Sequence, residues 1–340
     1  MSLALPSPDV LRHIVDVHCH PTDAPTIIPE AMENLALGTI VSMSSCSRDQ
    51  VLVRNLAMSY PDKVIPCFGY HPWFTHLISL RGDISKEDHY RQLFGLGNDL
   101  EDLALLLPSL PDPIPLGNII AELRQHLEEF PQAMLGEVGL DRSFRIPYDF
   151  SASPRRLSPF TVPIQHQISI LQAQVDLAVE LGRNVSLHSV KANQATTEFL
   201  AQTKVKHGNN WNKISLDLHS CGMSADSVKY IQSRYANIFV SLSTAINVRS
   251  SNYVAVIKAC DPERLLVESD YNDVNMCAPQ TWDMVCRVAD VKEWSTETEW
   301  KDEISLEEWG AVRRLEANWM RFKAGNHSNI AHRRNMSMLK

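Results

Sequence analysis

Six residues of metal-ligand type stand at or just after the ends of apolar segments in this chain. His18 ends the run IVDVH, and His20 follows it with one residue between them. Side chains two apart on a strand point to one side, so both imidazoles can face one ion. Alone, such a pair is as easily an accident of a loop. Glu137 ends a further apolar run, AMLGEV, between glycines that let backbone and ligand approach closely. A carboxylate there must be paired, protonated or metal-bound, because burying it bare costs several kcal/mol or more. A salt bridge to Arg142 is the plain alternative. His188, His219 and Asp270 end or follow three more such runs. A lone histidine in that place is usually a hydrogen-bonded core residue, but three more ligand types after His-x-His and Glu are hard to explain that way.

Four imidazoles and two carboxylates brought to one rim could bind two divalent ions, with Glu137 as the bridge and a water activated between them. Asp270 would bind metal and accept the proton of the attacking water. Nitrogen-rich ligation favours zinc or manganese, and the carboxylates keep magnesium open.

The elements that must carry these residues are legible as alternating patterns. Strand-like runs fall at 14 to 18, 39 to 44, 63 to 69, 133 to 138, 184 to 188, 214 to 219, 238 to 243 and 265 to 269. Helical periodicity fills 48 to 59, 118 to 129, 165 to 182, 191 to 202, 224 to 235, 250 to 260 and 279 to 291. Runs apolar on both faces, separated by crossover helices, point to a parallel sheet. Eight repeats close most simply as a TIM-type (β/α)8 barrel. A doubly wound open sheet is the rival, but it gives no reason for ligand-type residues to end so many strands.

Residues 76 to 117 and 142 to 164 read as insertions after the third and fourth strands, over the face that would carry the ligands. A C-terminal extension has a helical pattern at 304 to 323, and about 325 to 340 reads as a flexible tail. The whole of 1 to 340 is expected to form one elaborated barrel.

The chain has 40 acidic and 32 basic residues, a formal charge of −8, and so no long-range attraction for a polyanion. Its seven cysteines are scattered without a Cys-x-x-Cys spacing, which fits a reducing compartment. There is no signal-peptide pattern at the start and no apolar stretch approaching a membrane span. A soluble protein of the cytoplasm or nucleus is the expectation.

The motifs VDVHCHP, GYHPWF, LGEVGLDR, VSLHS, LDLHS and DPERLLVESD stand in an order that resembles the TatD family of metal-dependent hydrolases, from about residue 14 to 290. Six separated motifs in order make the resemblance specific. It implies a barrel of the amidohydrolase-like type, deoxyribonuclease activity on DNA, and metal ligands at His18, His20, Glu137, His188, His219 and Asp270. It also implies a substrate-phosphate contact at His71, which otherwise reads as a turn histidine before Pro72, and matches Gln167 and Gln174 to the family's Gln-rich helix.

Where the family carries an arginine soon after the fifth-strand histidine, this chain has Val190, and Tyr271 stands where a proline follows the last aspartate. The lost arginine weakens the nuclease reading. With fewer fixed cations, phosphate binding should lean on the metals and His71. The long insertion and the C-terminal extension resemble a fungal branch of the family known as partners of an anaphase-promoting-complex subunit. That branch implies a second reading, an interaction protein that keeps its metal and binds through the inserted or C-terminal segments. A third is an amidohydrolase-like enzyme acting on a small ester or amide.

Overall fold

In the computed structural model, which describes residues 4–23, 29–95 and 100–327, eight parallel strands form one sheet with helices between them. The strands are β1 Val15–Cys19, β2 Thr39–Met43, β3 Val64–Phe68, β4 Met134–Asp141, β5 Val185–Val190, β6 Leu216–Leu218, β7 Ile238–Ser243 and β8 Leu265–Glu268. They pair in chain order from β1 to β8. The two edge strands meet where the chain leaves them: the Asp270 N–H donates to His18 O at 3.0 Å, and the His20 N–H donates to Tyr271 O at 2.8 Å. The barrel thus closes through the same residues that the sequence marks as ligands.

Both faces of the strands are covered, mostly by apolar side chains, with Asp16, Ser186, Asp217, Ser241 and Glu268 as buried polar exceptions. Outward residues such as Ile40, Val64, Leu135, Val185, Leu216, Val240 and Leu265 join the large core beneath the helices. Those helices are α1 Ser47–Ser59, α2 Leu116–Glu129, α3 Ile164–Leu181, α4 Asn193–His207, α5 Ala225–Arg234, α6 Tyr253–Ala259 and α7 Val274–Lys292. Inward residues Val17, Val41, Ile65, Met134, Phe239 and Leu266 fill the lower barrel. Helix α8, Ala311–Ala324, closes that end with Trp319 and Phe322, each ring contributing on the order of 2 to 3 kcal/mol by leaving water.

The extension differs from the expected helix at 304 to 323. A short 3-10 turn, Leu306–Glu308, precedes Gly310, and α8 begins only at Ala311. The Glu297 carboxylate accepts from the N–H groups of Gly310, Val312 and Arg313, supplying the anion that a helix N-terminus attracts. Residues 325–327 continue against the barrel, where His327 is buried and its N–H donates to Asn212 O at 2.7 Å. The rest of the expected tail, 328–340, lies outside the described residues.

Both inserted stretches sit on the loops that leave β3 and β4, and they pack on each other. The first holds helices Lys86–Phe94 and Leu100–Leu106 and a two-strand pair, Ile78–Ser79 with Ile114–Pro115. The second is largely irregular, pinned by a bridge between Pro147 and Leu157. Tyr90, Leu103, Leu106 and Leu110 from the first meet Ile146, Phe160 and Val162 from the second in a separate small core.

Candidate metal centre

Glu137 lies at the centre of the barrel mouth, and five imidazoles surround it. Its Oε2 is 3.2 Å from His20 Nε2 and 3.6 Å from His18 Nε2. Its Oε1 is 2.7 Å from His219 Nε2, 2.8 Å from His188 Nδ1 and 3.2 Å from His71 Nε2. Asp270 closes the His18 and His20 side, its Oδ1 lying 3.6 Å from His20 Nε2 and 3.9 Å from His18 Nε2. All six residues singled out as ligands therefore converge. Arg142 makes no bridge to Glu137; its side chain is exposed.

Local structure explains the convergence. A register shift between Asp16 and Cys19, which contains His18, breaks the regular pairing of β1, and the His18 and His20 Nε2 atoms face each other at 3.1 Å. Cys19 turns the other way, its thiol donating to Val41 O at 3.5 Å. Gly139, at φ +154°, lets β4 lie against β5: a Cβ there would stand 2.0 Å from His188 O. Asp270 holds a left-handed φ of 55°, a conformation Asp tolerates better than most side chains.

Two glutamines on α3, seven residues and hence two turns apart, clamp the loops beside the site. Gln174 accepts from the Tyr70 N–H at 2.8 Å, next to His71. Gln167 accepts from the Asp141 N–H at 2.8 Å and donates to Asp141 O at 2.9 Å.

The donor set fits a divalent metal. Two donors that share a tetrahedral ion at about 2.1 Å lie about 3.4 Å apart. The His18, His20, Glu137 and Asp270 atoms quoted above span that spacing, as do His188 Nδ1 and His219 Nε2 at 3.2 Å. Burial holds His18 down to about 3, helped by the neighbouring His219, so its ring is neutral as a ligand must be. Burial opposes charge on His20, but Glu137 and Asp270 outweigh it and raise it to about 9. His219 is likewise raised despite burial, chiefly by Glu137, and His188 by Asp141 and Glu137. Burial alone would raise Glu137; the histidines hold it well below the usual carboxylate range. Without metal, protons on the imidazoles balance this buried charge, and a cation would displace them.

His71 is placed differently. Its Nδ1 accepts from the Trp73 N–H at 3.2 Å, so the neutral ring carries its proton on Nε2, facing Glu137 Oε1. It is both the cap of the turn Pro72–Leu77 and a hydrogen-bond donor into the site.

Sequence reasoning passed over Asp141 and the layer beneath the ligands. Asp141 Oδ2 lies 3.4 Å from His188 Nε2 and accepts from Trp73 Nε1 at 2.6 Å, so it orients the histidine through the nitrogen that does not face Glu137. The signal was present: Glu137, Gly139 and Asp141 follow a two-residue alternation. Below, Ser186 meets His18 Nδ1 at 2.8 Å, and Glu268 accepts from the Ser220 N–H and hydroxyl at 2.9 and 2.6 Å. The Ser220 hydroxyl also lies 3.2 Å from Asp270 Oδ2. Ser186 and Glu268 each stand two residues before a ligand, as strand alternation requires.

The model of the TatD related DNase family matches residues 15–302. The chain belongs to the TatD family. Cut9-interacting protein scn1 of Schizosaccharomyces pombe is 31% identical over 323 residues, covering 84% of this chain and 95% of that protein. An uncharacterized deoxyribonuclease of Saccharomyces cerevisiae is 26% identical, covering 77% and 84%. Among solved structures, a TatD homolog from Escherichia coli shares the fold with a TM-score of 0.59 at 18% identity, covering 93% of this chain and 99% of its own. The TatD assignment and the eight-stranded barrel expected from the motifs are thus both found. Among the described residues, no helix is long and apolar enough to cross a membrane.

Proposed function

We propose that this TatD protein is a phosphodiesterase that trims DNA ends, with His18, His20, Glu137, His188, His219 and Asp270 holding two divalent ions, zinc or manganese before magnesium. The observation that carries the two-ion reading is the division of Glu137, one carboxylate oxygen turned to His18 and His20 and the other to His188 and His219. Bound there, the cations would supply Lewis acidity and a water acidic enough to attack near neutral pH. Asp270 lies beside this centre, 13% exposed, and would accept the proton of an attacking water. His71 donates its Nε2 proton to a phosphate oxygen. The deoxyribonuclease named among the relatives supports the choice of a phosphodiester over a small ester or amide.

The expected activity is slow, metal-dependent trimming of single-stranded ends in preference to blunt duplex. Side-by-side digestion of end-labelled single strands, blunt duplex and closed circular DNA, with metal added or chelated, checks it. Rapid cutting of the closed circle would exclude an end-dependent enzyme. Metal-dependent cutting of none of the three would favour a second reading, which the name of the Schizosaccharomyces pombe relative supports: an interaction protein that retains the metal and binds its partner through the inserted or C-terminal segments.

A further inference from the structure

The chain that leaves Asp141 is unlike the rest of this acidic protein. From residue 142 to 156 it carries four arginines, Arg142, Arg145, Arg155 and Arg156, against one carboxylate, Asp149, and three aromatic residues, Phe144, Tyr148 and Phe150. Among the described residues none of the four arginines is ion-paired; Arg142 shows no side-chain partner, and Arg145 and Arg155 spend their Nε protons on the backbone carbonyls of Ser158 and Phe150.

The rings form a row that starts at the metal centre. His71 meets Trp73 edge to face at 4.9 Å, and Trp73 is tied through Asp141 to His188. Phe144 stacks on Trp73 at 4.8 Å and 13°. Phe150 follows at 6.2 Å from Phe144 and is backed by Phe74 at 5.7 Å. Guanidinium groups stand over this row and beside it, Arg155 at 5.7 Å from the Phe150 ring and Arg156 at 4.5 Å from the Tyr148 ring. Trp73 is 37% exposed, and Phe144, Tyr148 and Phe150 lie at the edge of the small inserted core without being buried in it. A purely structural aromatic cluster has no need of unpaired cations along it. Arg142 is anchored by its N–H to Val190 O at 3.1 Å, the position that lacks the family's arginine.

Planar rings flanked by guanidinium groups without ion-pair partners suit a strand whose bases are unstacked from a partner and whose phosphates follow one edge. We infer that residues 142–156 and Trp73 form a binding platform for single-stranded oligonucleotide, with bases stacking on the ring row and phosphates meeting the four arginines. A duplex offers no free base faces to such a row. The platform rests on the phosphodiesterase reading for its purpose, leading a strand end toward Glu137, but its binding can be measured without cleavage.

The test is fluorescence anisotropy of labelled eight-residue oligothymidylate and of an abasic strand of equal charge, with the full chain and chelator present. The abasic strand should bind at least about fivefold more weakly, the loss expected when even one base no longer stacks. Replacing two cations by Arg155→Ala with Arg156→Ala should flatten the salt dependence of log affinity by about 1.4. A ratio below about five or an unchanged salt slope overturns the platform. The abasic comparison uses the unaltered protein and so stands even if the double variant folds poorly. Binding that meets both expectations without any metal-dependent cleavage would sink the phosphodiesterase reading and leave the platform; cleavage indifferent to the bases would do the reverse.

Discussion

Asp270→Asn is expected to leave the barrel folded and to lower turnover by at least about a thousandfold, the upper part of the range for loss of a general base. Asparagine keeps the size of the side chain and tolerates the left-handed backbone that residue 270 adopts at φ 55°. The seam survives too, because its bond to His18 O comes from the backbone N–H of residue 270. What the amide cannot do is take a proton, and as a neutral group it is a poorer metal ligand beside His18 and His20. Thermal melting, metal content and turnover belong on one sample. Turnover within a few-fold of the parent, with metal retained, would mean that Asp270 is not the base.

Glu137→Ala should have the larger effect on metal. Every other ligand-type side chain in the mouth faces one of its two oxygens or the residues beside them. Removing the carboxylate takes away the one anion that both halves of the site share, and leaves imidazoles that repel a cation once protonated. Metal retained after loading and desalting should fall to near zero, and turnover by at least about a thousandfold. Glu137→Gln keeps the shape without the charge and should fail in the same way, which separates charge from packing. Equal metal in parent and variants would contradict the bridging role.

Much of this site was legible because strand physics is local. Runs such as those ending in Glu137, His188 and His219 are largely apolar because helices and barrel interior cover both faces, and a polar ligand at the end of such a run stands out. What was missed depends on contacts between distant segments. The register shift in β1 that brings His18 and His20 to 3.1 Å is set by pairing with β2, and α8 starts late because Glu297 reaches Gly310. Glu268 is an acidic residue in LLVES whose partner is not legible locally: Ser220, 48 residues earlier, donates to it. The insertions read as loops because their core is shared between distant segments: Tyr90 of the first and Phe160 of the second belong to one cluster.

Two divalent ions held in the barrel mouth would share the Glu137 carboxylate, and an anomalous difference map from a zinc- or manganese-loaded crystal tests this most directly. Two peaks should lie on opposite sides of the Glu137 carboxylate, one against His18, His20 and Asp270, the other against His188 and His219. A loaded protein that shows its metal away from Glu137, or no peak in the barrel mouth, would contradict the account.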